Sequence, residues 1–175
     1  GTAVDADIAS ALGVSTAASW STGFDSKQPP GLDVGQIDPL GNGAAVIQNG
    51  RLEFRRAAGS SLNYPQVLSQ NTYSLSQAMT YRAEVTTDST LTNDMLVLAL
   101  NGSGAGGLQR EGILIWDGQL YQHEYASGVD VGASHLLGSL DANTTYVVEI
   151  EVAAGTATTY VYAKGKGRDS GYRFS

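Results

Sequence analysis

Apolar and polar residues alternate with a period of two along much of the chain after Ser19, the mark of strands that bury one face. Met79, Tyr81, Ala83 and Val85 fall on one side of a strand, with Thr80, Arg82, Glu84 and Thr86 on the other. Tyr146, Val148, Ile150 and Val152 repeat the pattern against Glu149 and Glu151. Thr158–Lys164 predicts the antiparallel partner of that strand, turning at Ala154-Gly155. Met95–Leu100 is apolar on both faces and predicts a central strand. Two hairpins are marked by their turns. Asn49-Gly50 divides Ala44–Gln48 from Arg51–Arg56, and Asp117-Gly118 divides Gly112–Trp116 from Gln119–Tyr125. Both dipeptides supply the positive φ that a two-residue type I′ turn needs.

Only one segment has helical spacing. Val4, Ile8 and Leu12 recur every four residues, with Asp5 as a cap and Gly13 as a stop. Residues 23–43 hold three of the four prolines together with Asp25, Asp33 and Asp38, and predict a long irregular loop. Gly171–Ser175 reads as the opening of a further strand. The expectation is an all-β fold: one antiparallel β-sandwich of jelly-roll type over residues 1–175, with one short N-terminal helix and without a final C-terminal strand.

Composition supports this and narrows the partners. With 175 residues, 42% of them hydrophobic, the chain can bury a core without staples. Seventeen acidic against ten basic residues give a net charge of −7 and no basic stripe, which argues against nucleic acid and anionic membranes. No apolar run reaches the length of a membrane helix, so no membrane insertion is expected. The chain has no cysteine, which rules out disulfides, thiolate catalysis and cysteine-based zinc sites and fits bacterial export. His123 and His135 stand twelve positions apart without a cysteine between them, a poor zinc pair.

Candidate chemistry lies on two strands. Gln119, Tyr121, His123 and Tyr125 alternate onto one face, and Tyr160, Tyr162 and Lys164 share another. Tyrosine rings stack on the apolar faces of sugars while polar tips bond hydroxyls. With Arg82 these residues form the expected ligand-binding set: Tyr121, His123, Tyr125, Tyr160, Tyr162 and Arg82. Glu149 and Glu151 would be neighbours, but Ala153 follows them where a third acid would complete a glycosidase pattern, so they read as a solvated outer face. Asn101-Gly-Ser103 and Asn143-Thr-Thr145 match glycosylation triplets, and Gly102–Gly107 reads as a flexible turn.

Three stretches carry a family resemblance: Tyr73-Ser-Leu75 leading to Met79–Val85, Gly112–Tyr121, and Leu140–Ile150 running into Thr158–Gly165. In strand pattern, over about residues 19–165, the chain resembles the concanavalin A-like, laminin-G-like jelly rolls. That resemblance implies a glycan-binding or adhesion module on a larger exported bacterial protein, at the cell surface or outside the cell. It also implies a structural calcium, for which Asp25, Asp33 and Asp38 are the candidate ligands. Two other readings stand beside it. Arg51-Leu-Glu-Phe-Arg-Arg56, Gln122-His123 and Tyr162-Ala-Lys164 follow the chain order of an alginate-lyase-type site, although adjacent Gln122 and His123 point to opposite faces. An open strand edge would suit a structural or protein–protein domain of a surface appendage.

Overall fold

The computed structural model describes residues 22–26, 29, 32–33, 43–56, 68–69, 78–89, 95–104, 107–116, 118–126 and 129–175. The expected helix at Val4–Gly13, and Asp38, lie outside these residues. The chain divides into two compact units, Gly1–Tyr73 and Ser74–Ser175.

In the first unit, β1 (Leu32–Asp33) pairs antiparallel with β4 (Leu68–Ser69). β2 (Gly43–Gln48) pairs antiparallel with β3 (Arg51–Arg56), with Ala45 opposite Phe54. Asn49 and Gly50 take φ of 54° and 67°, the two left-handed residues expected of that turn.

The second unit is an antiparallel sandwich. One sheet has the order β12 (Tyr172–Phe174), β11 (Thr156–Ala163), β10 (Thr145–Ala153), β5 (Met79–Thr86). The other is an up-and-down meander of β6 (Met95–Gly104), β7 (Gly107–Trp116), β8 (Gln119–Ala126) and β9 (Val129–Ser139). The chain passes between sheets after β5 and again after β9, so β10 returns to lie beside β5. The repeated crossings that define a jelly roll are not among these described connections.

The alternation read from the sequence decides which faces meet. Met79, Tyr81, Ala83 and Val85 are half-buried while their neighbours on β5 are exposed. Ile113, Ile115 and Leu120 of the meander pack with Tyr146, Val148 and Val161 of the other sheet, and Leu140 joins them from the β9–β10 crossing. Burial of each such side chain contributes about 1.5–3 kcal/mol.

Two expectations change. Met95–Leu100 was expected to be central, yet β6 stands at the margin of its described sheet. Apolarity on both faces reports what lies above and below a strand, not how many neighbours flank it. Gly102–Gly107, expected to be a flexible turn, is strand up to Gly104 and again from Gly107.

Side-chain ties hold the crossings and one flank. Buried Thr87, just past β5, donates its hydroxyl to Asp141 O at 2.7 Å and accepts from Thr144 N at 3.0 Å. The Tyr146 hydroxyl accepts from Asp141 N at 2.8 Å. On the flank, Tyr172 of β12 donates to Ser139 O at 2.8 Å, and Phe174 stacks on His135 with centroids 4.5 Å apart. This close approach of β12 to β9 requires Gly138, whose φ is 155° and where an added Cβ would lie 2.6 Å from the Tyr172 hydroxyl oxygen and against its ring.

Gly138→Ala is therefore expected to lower the unfolding free energy by about 3 kcal/mol, combining backbone strain with overlap. Gly155→Ala, at φ 78° with nothing within 4 Å of the new Cβ, meets strain alone and should cost about 1 kcal/mol. Urea unfolding of the two variants separates the effects; equal losses would show that Tyr172 does not press on Gly138.

Candidate functional site

A sandwich has two outward faces, and the expected binding residues divide between them. On the β12-β11-β10-β5 sheet, register sets Arg173, Tyr160, Glu149 and Arg82 in one row and Tyr162, Val147 and Glu84 in the next. This face is filled by its own side chains. Arg168, from the 3-10 turn at Arg168–Ser170, donates Nε to Glu149 Oε2 at 2.7 Å and Nη1 to Glu151 Oε2 at 3.0 Å. Its guanidinium carbon lies 4.1 Å from the Tyr160 ring centroid, a cation–π contact. Arg82 approaches Glu149 Oε1 at 3.5 Å and Glu84 Oε1 at 3.3 Å, and Lys164 Nζ donates to Glu84 Oε2 at 2.7 Å.

Glu149 thus departs from its reading as a solvated residue: it is only 7% exposed. Two arginines make that burial tolerable. The hydrogen bonds to Glu149 and Glu151 hold the Arg168 guanidinium further above its usual range. The hydrogen bond from Lys164 draws the Glu84 carboxyl below its ordinary value of 4.5, with Arg82 adding to it. Tyr160, Tyr162, Arg82 and Lys164 do share a face, but Tyr160, Arg82 and Lys164 already have partners there.

The opposite outer face differs in kind. Ile113, Ile115 and Leu120 point into the core, so regular β7–β8 pairing turns Leu114, Trp116, Gln119 and Tyr121 outward. Leu136 of β9 lies opposite Tyr121. Trp116 and Leu136 are 49% and 56% exposed, large apolar groups left in water. The Trp116 and Tyr121 rings lie 5.9 Å apart at 46°. The Tyr121 hydroxyl donates to Gln119 Oε1 at 2.8 Å, and the Gln119 side chain is exposed. The result is an aromatic and aliphatic platform with a neutral polar edge.

His123 lies two residues beyond Tyr121 on β8, opposite Gly112, and is buried. The β8–β9 register shifts on both sides of it. The backbone of Tyr125 follows in β8 with its side chain outside the described residues. Trp116 was read only as the end of a hairpin strand. Its place beside a type I′ turn, one position from inward Ile115, was the available signal for an outward tryptophan.

The lyase-like set is dispersed. Gln122 is buried on the inward face of β8, opposite Ile113, whereas Tyr162 and Lys164 sit on the outer side of the other sheet. Of the expected calcium ligands, Asp25 is exposed, Asp33 lies in β1 and Asp38 is outside the described residues. Among the described residues no three of His, Cys, Asp or Glu gather where a metal could sit. No described helix is long and apolar enough to cross a membrane. Comparison with protein-family models, curated proteins and solved structures returned no match. The likeness to concanavalin A-like jelly rolls therefore rests on strand pattern alone.

Arg168→Met removes the main partner of a buried carboxylate. An expected loss of about 2 kcal/mol, reduced from the range for fully buried pairs because Arg168 is partly exposed, should be seen in urea unfolding and largely recovered by Glu149→Gln in the same chain. The Glu84 shift has its own sign. Its depressed folded value stabilises the native state above the unfolded carboxyl value and is lost as pH falls through the folded one. Carboxyl-detected NMR titration should place Glu84 below 4.5, and Lys164→Met should raise it. An unchanged titration would show that Lys164 does not hold Glu84.

Proposed function

We propose that the chain is a non-catalytic glycan-binding module that engages sugars with the outer face of the β6–β9 sheet, as part of a larger exported bacterial protein acting at the cell surface. The observation that carries this reading is Trp116, half exposed on a regular strand and flanked by Tyr121, whose hydroxyl is fixed to Gln119. An exposed tryptophan adds little to folding, whereas stacking it on the apolar face of a pyranose removes that surface from water. The neighbouring amide and phenol meet the hydroxyls at the sugar edge.

The alternative of a polysaccharide lyase is less well supported, because its residue set is spread between a core-facing position and the opposite sheet. A glycosidase pair at Glu149 and Glu151 is disfavoured by the Arg168 clamp on both carboxylates. A protein-docking role for an appendage would use the same exposed platform and is separated from glycan binding by the assay itself.

Affinity electrophoresis through gels containing individual polysaccharides, run with calcium and with a chelator, tests the reading. Retardation is expected on at least one polymer. Trp116→Ala should weaken it by about tenfold or more, equivalent to about 1.4 kcal/mol, with unfolding stability within about 0.5 kcal/mol of the parent. Retardation that survives Trp116→Ala, or none on any polymer in either condition, overturns the proposal.

A further inference from the structure

We infer that the platform selects short stretches of a single neutral glycan chain, about three to four pyranose units, rather than acidic polymers or flat crystalline surfaces; this rests on the glycan-binding reading above. Charge is the first ground. The described residues that form the platform and its edge are Leu114, Trp116, Gln119, Tyr121, Leu136 and Ser139, and none carries a charge. A polyuronate would bring a carboxylate at every unit and find no cation among them. Arg82, Lys164, Arg168 and Arg173 belong to the other sheet's outer side and its 3-10 turn, and Arg110, which shares the register parity of Leu114 on β7, stands two outward positions further along that strand, opposite Tyr125 and beyond the platform. The molecule's net charge of −7 adds a general repulsion towards polyanions.

Ring geometry is the second ground. A flat crystalline surface requires coplanar rings so that several stack at once. Trp116 and Tyr121 are instead inclined at 46°, which suits a chain that twists from one unit to the next. Extent is the third. Leu114, Tyr121 and Leu136 are directly opposed across β7, β8 and β9, as are Trp116, Gln119 and Ser139. Each inter-strand step is about 4.8 Å, close to the length of one pyranose unit. β6 continues the row, with Leu96 opposite Leu114, so the sheet offers room for about three to four units. The polar equipment matches hydroxyls: the Gln119 amide donates and the Tyr121 phenol oxygen, already donating to Gln119, accepts. With two rings and a few neutral hydrogen bonds, the dissociation constant is expected between about 0.1 and 1 mM.

Isothermal titration calorimetry of the full chain with neutral β-linked gluco-, xylo- and manno-oligosaccharides of one to six units, beside oligogalacturonates of the same lengths, tests the inference. Affinity for a neutral series should rise to about four units and change by less than about threefold from four to six. It should be insensitive to salt, weaken about tenfold or more in Trp116→Ala, and weaken severalfold in Gln119→Ala. Trp116-dependent preference for the uronate series, or affinity that climbs steadily to six units, overturns this inference and leaves the glycan-binding proposal standing. Absence of Trp116-dependent binding to both series, with affinity electrophoresis also negative, overturns both. So does Trp116-dependent self-association in sedimentation, which would give the platform to a second copy.

Discussion

Two sheets, each apolar on one side, remain folded only if those sides face each other. In the second unit Ile113, Ile115 and Leu120 meet Tyr146, Val148 and Val161 across that interface. Because side chains alternate, every inward residue fixes an outward neighbour. Ile150 buried in the core obliges Glu149 and Glu151 to turn out, and Ile115 obliges Trp116 to do the same. The chemistry available at the surface is thus set by the register of the core. The β9–β12 flank follows the same logic: Tyr172 reaches Ser139 only because Gly138 leaves room for its ring.

The two outward faces meet water differently. On one, the segment after β11 folds back so that Arg168 covers Tyr160 and binds both glutamates, while Lys164 and Arg82 engage Glu84. That face is complete in itself. On the other, Trp116 and Leu136 stay exposed, and Tyr121 is oriented by Gln119 without being covered. A surface that satisfies its own groups needs no partner, whereas one that holds a tryptophan in water gains when a partner arrives. This contrast separates the two faces more sharply than the number of tyrosines on either.

The strands with clean alternation were legible in the sequence, as were turns that demand positive φ. β5, β10 and β11, and the hairpins at Asn49-Gly50 and Asp117-Gly118, follow from local pattern. β9 was not foreseen. Its alternation is interrupted by Gly132 and Gly138, and its pairing with β8 shifts register between Leu120 and Tyr121 and around His123. The period of two is lost where a bulge adds a residue. Tyr160 and Tyr162 were correctly placed on one face, but the arrangement of Arg168 above Glu149 and Glu151 was not legible, because it depends on a turn folding back from seventeen or more residues away. Trp116 was readable as an outward residue only once Ile115 was known to face the core.

The assignment of function to the β6–β9 face is most directly tested by chemical-shift mapping of the labelled chain during titration with a mixture of neutral oligosaccharides. The Trp116 indole N–H and backbone amides around Leu114, Gln119, Tyr121 and Leu136 are predicted to move together and saturate, with those of Arg82, Tyr160 and Arg168 unmoved. Shifts centred on Arg82, Tyr160 and Arg168, with Trp116 still, would contradict it.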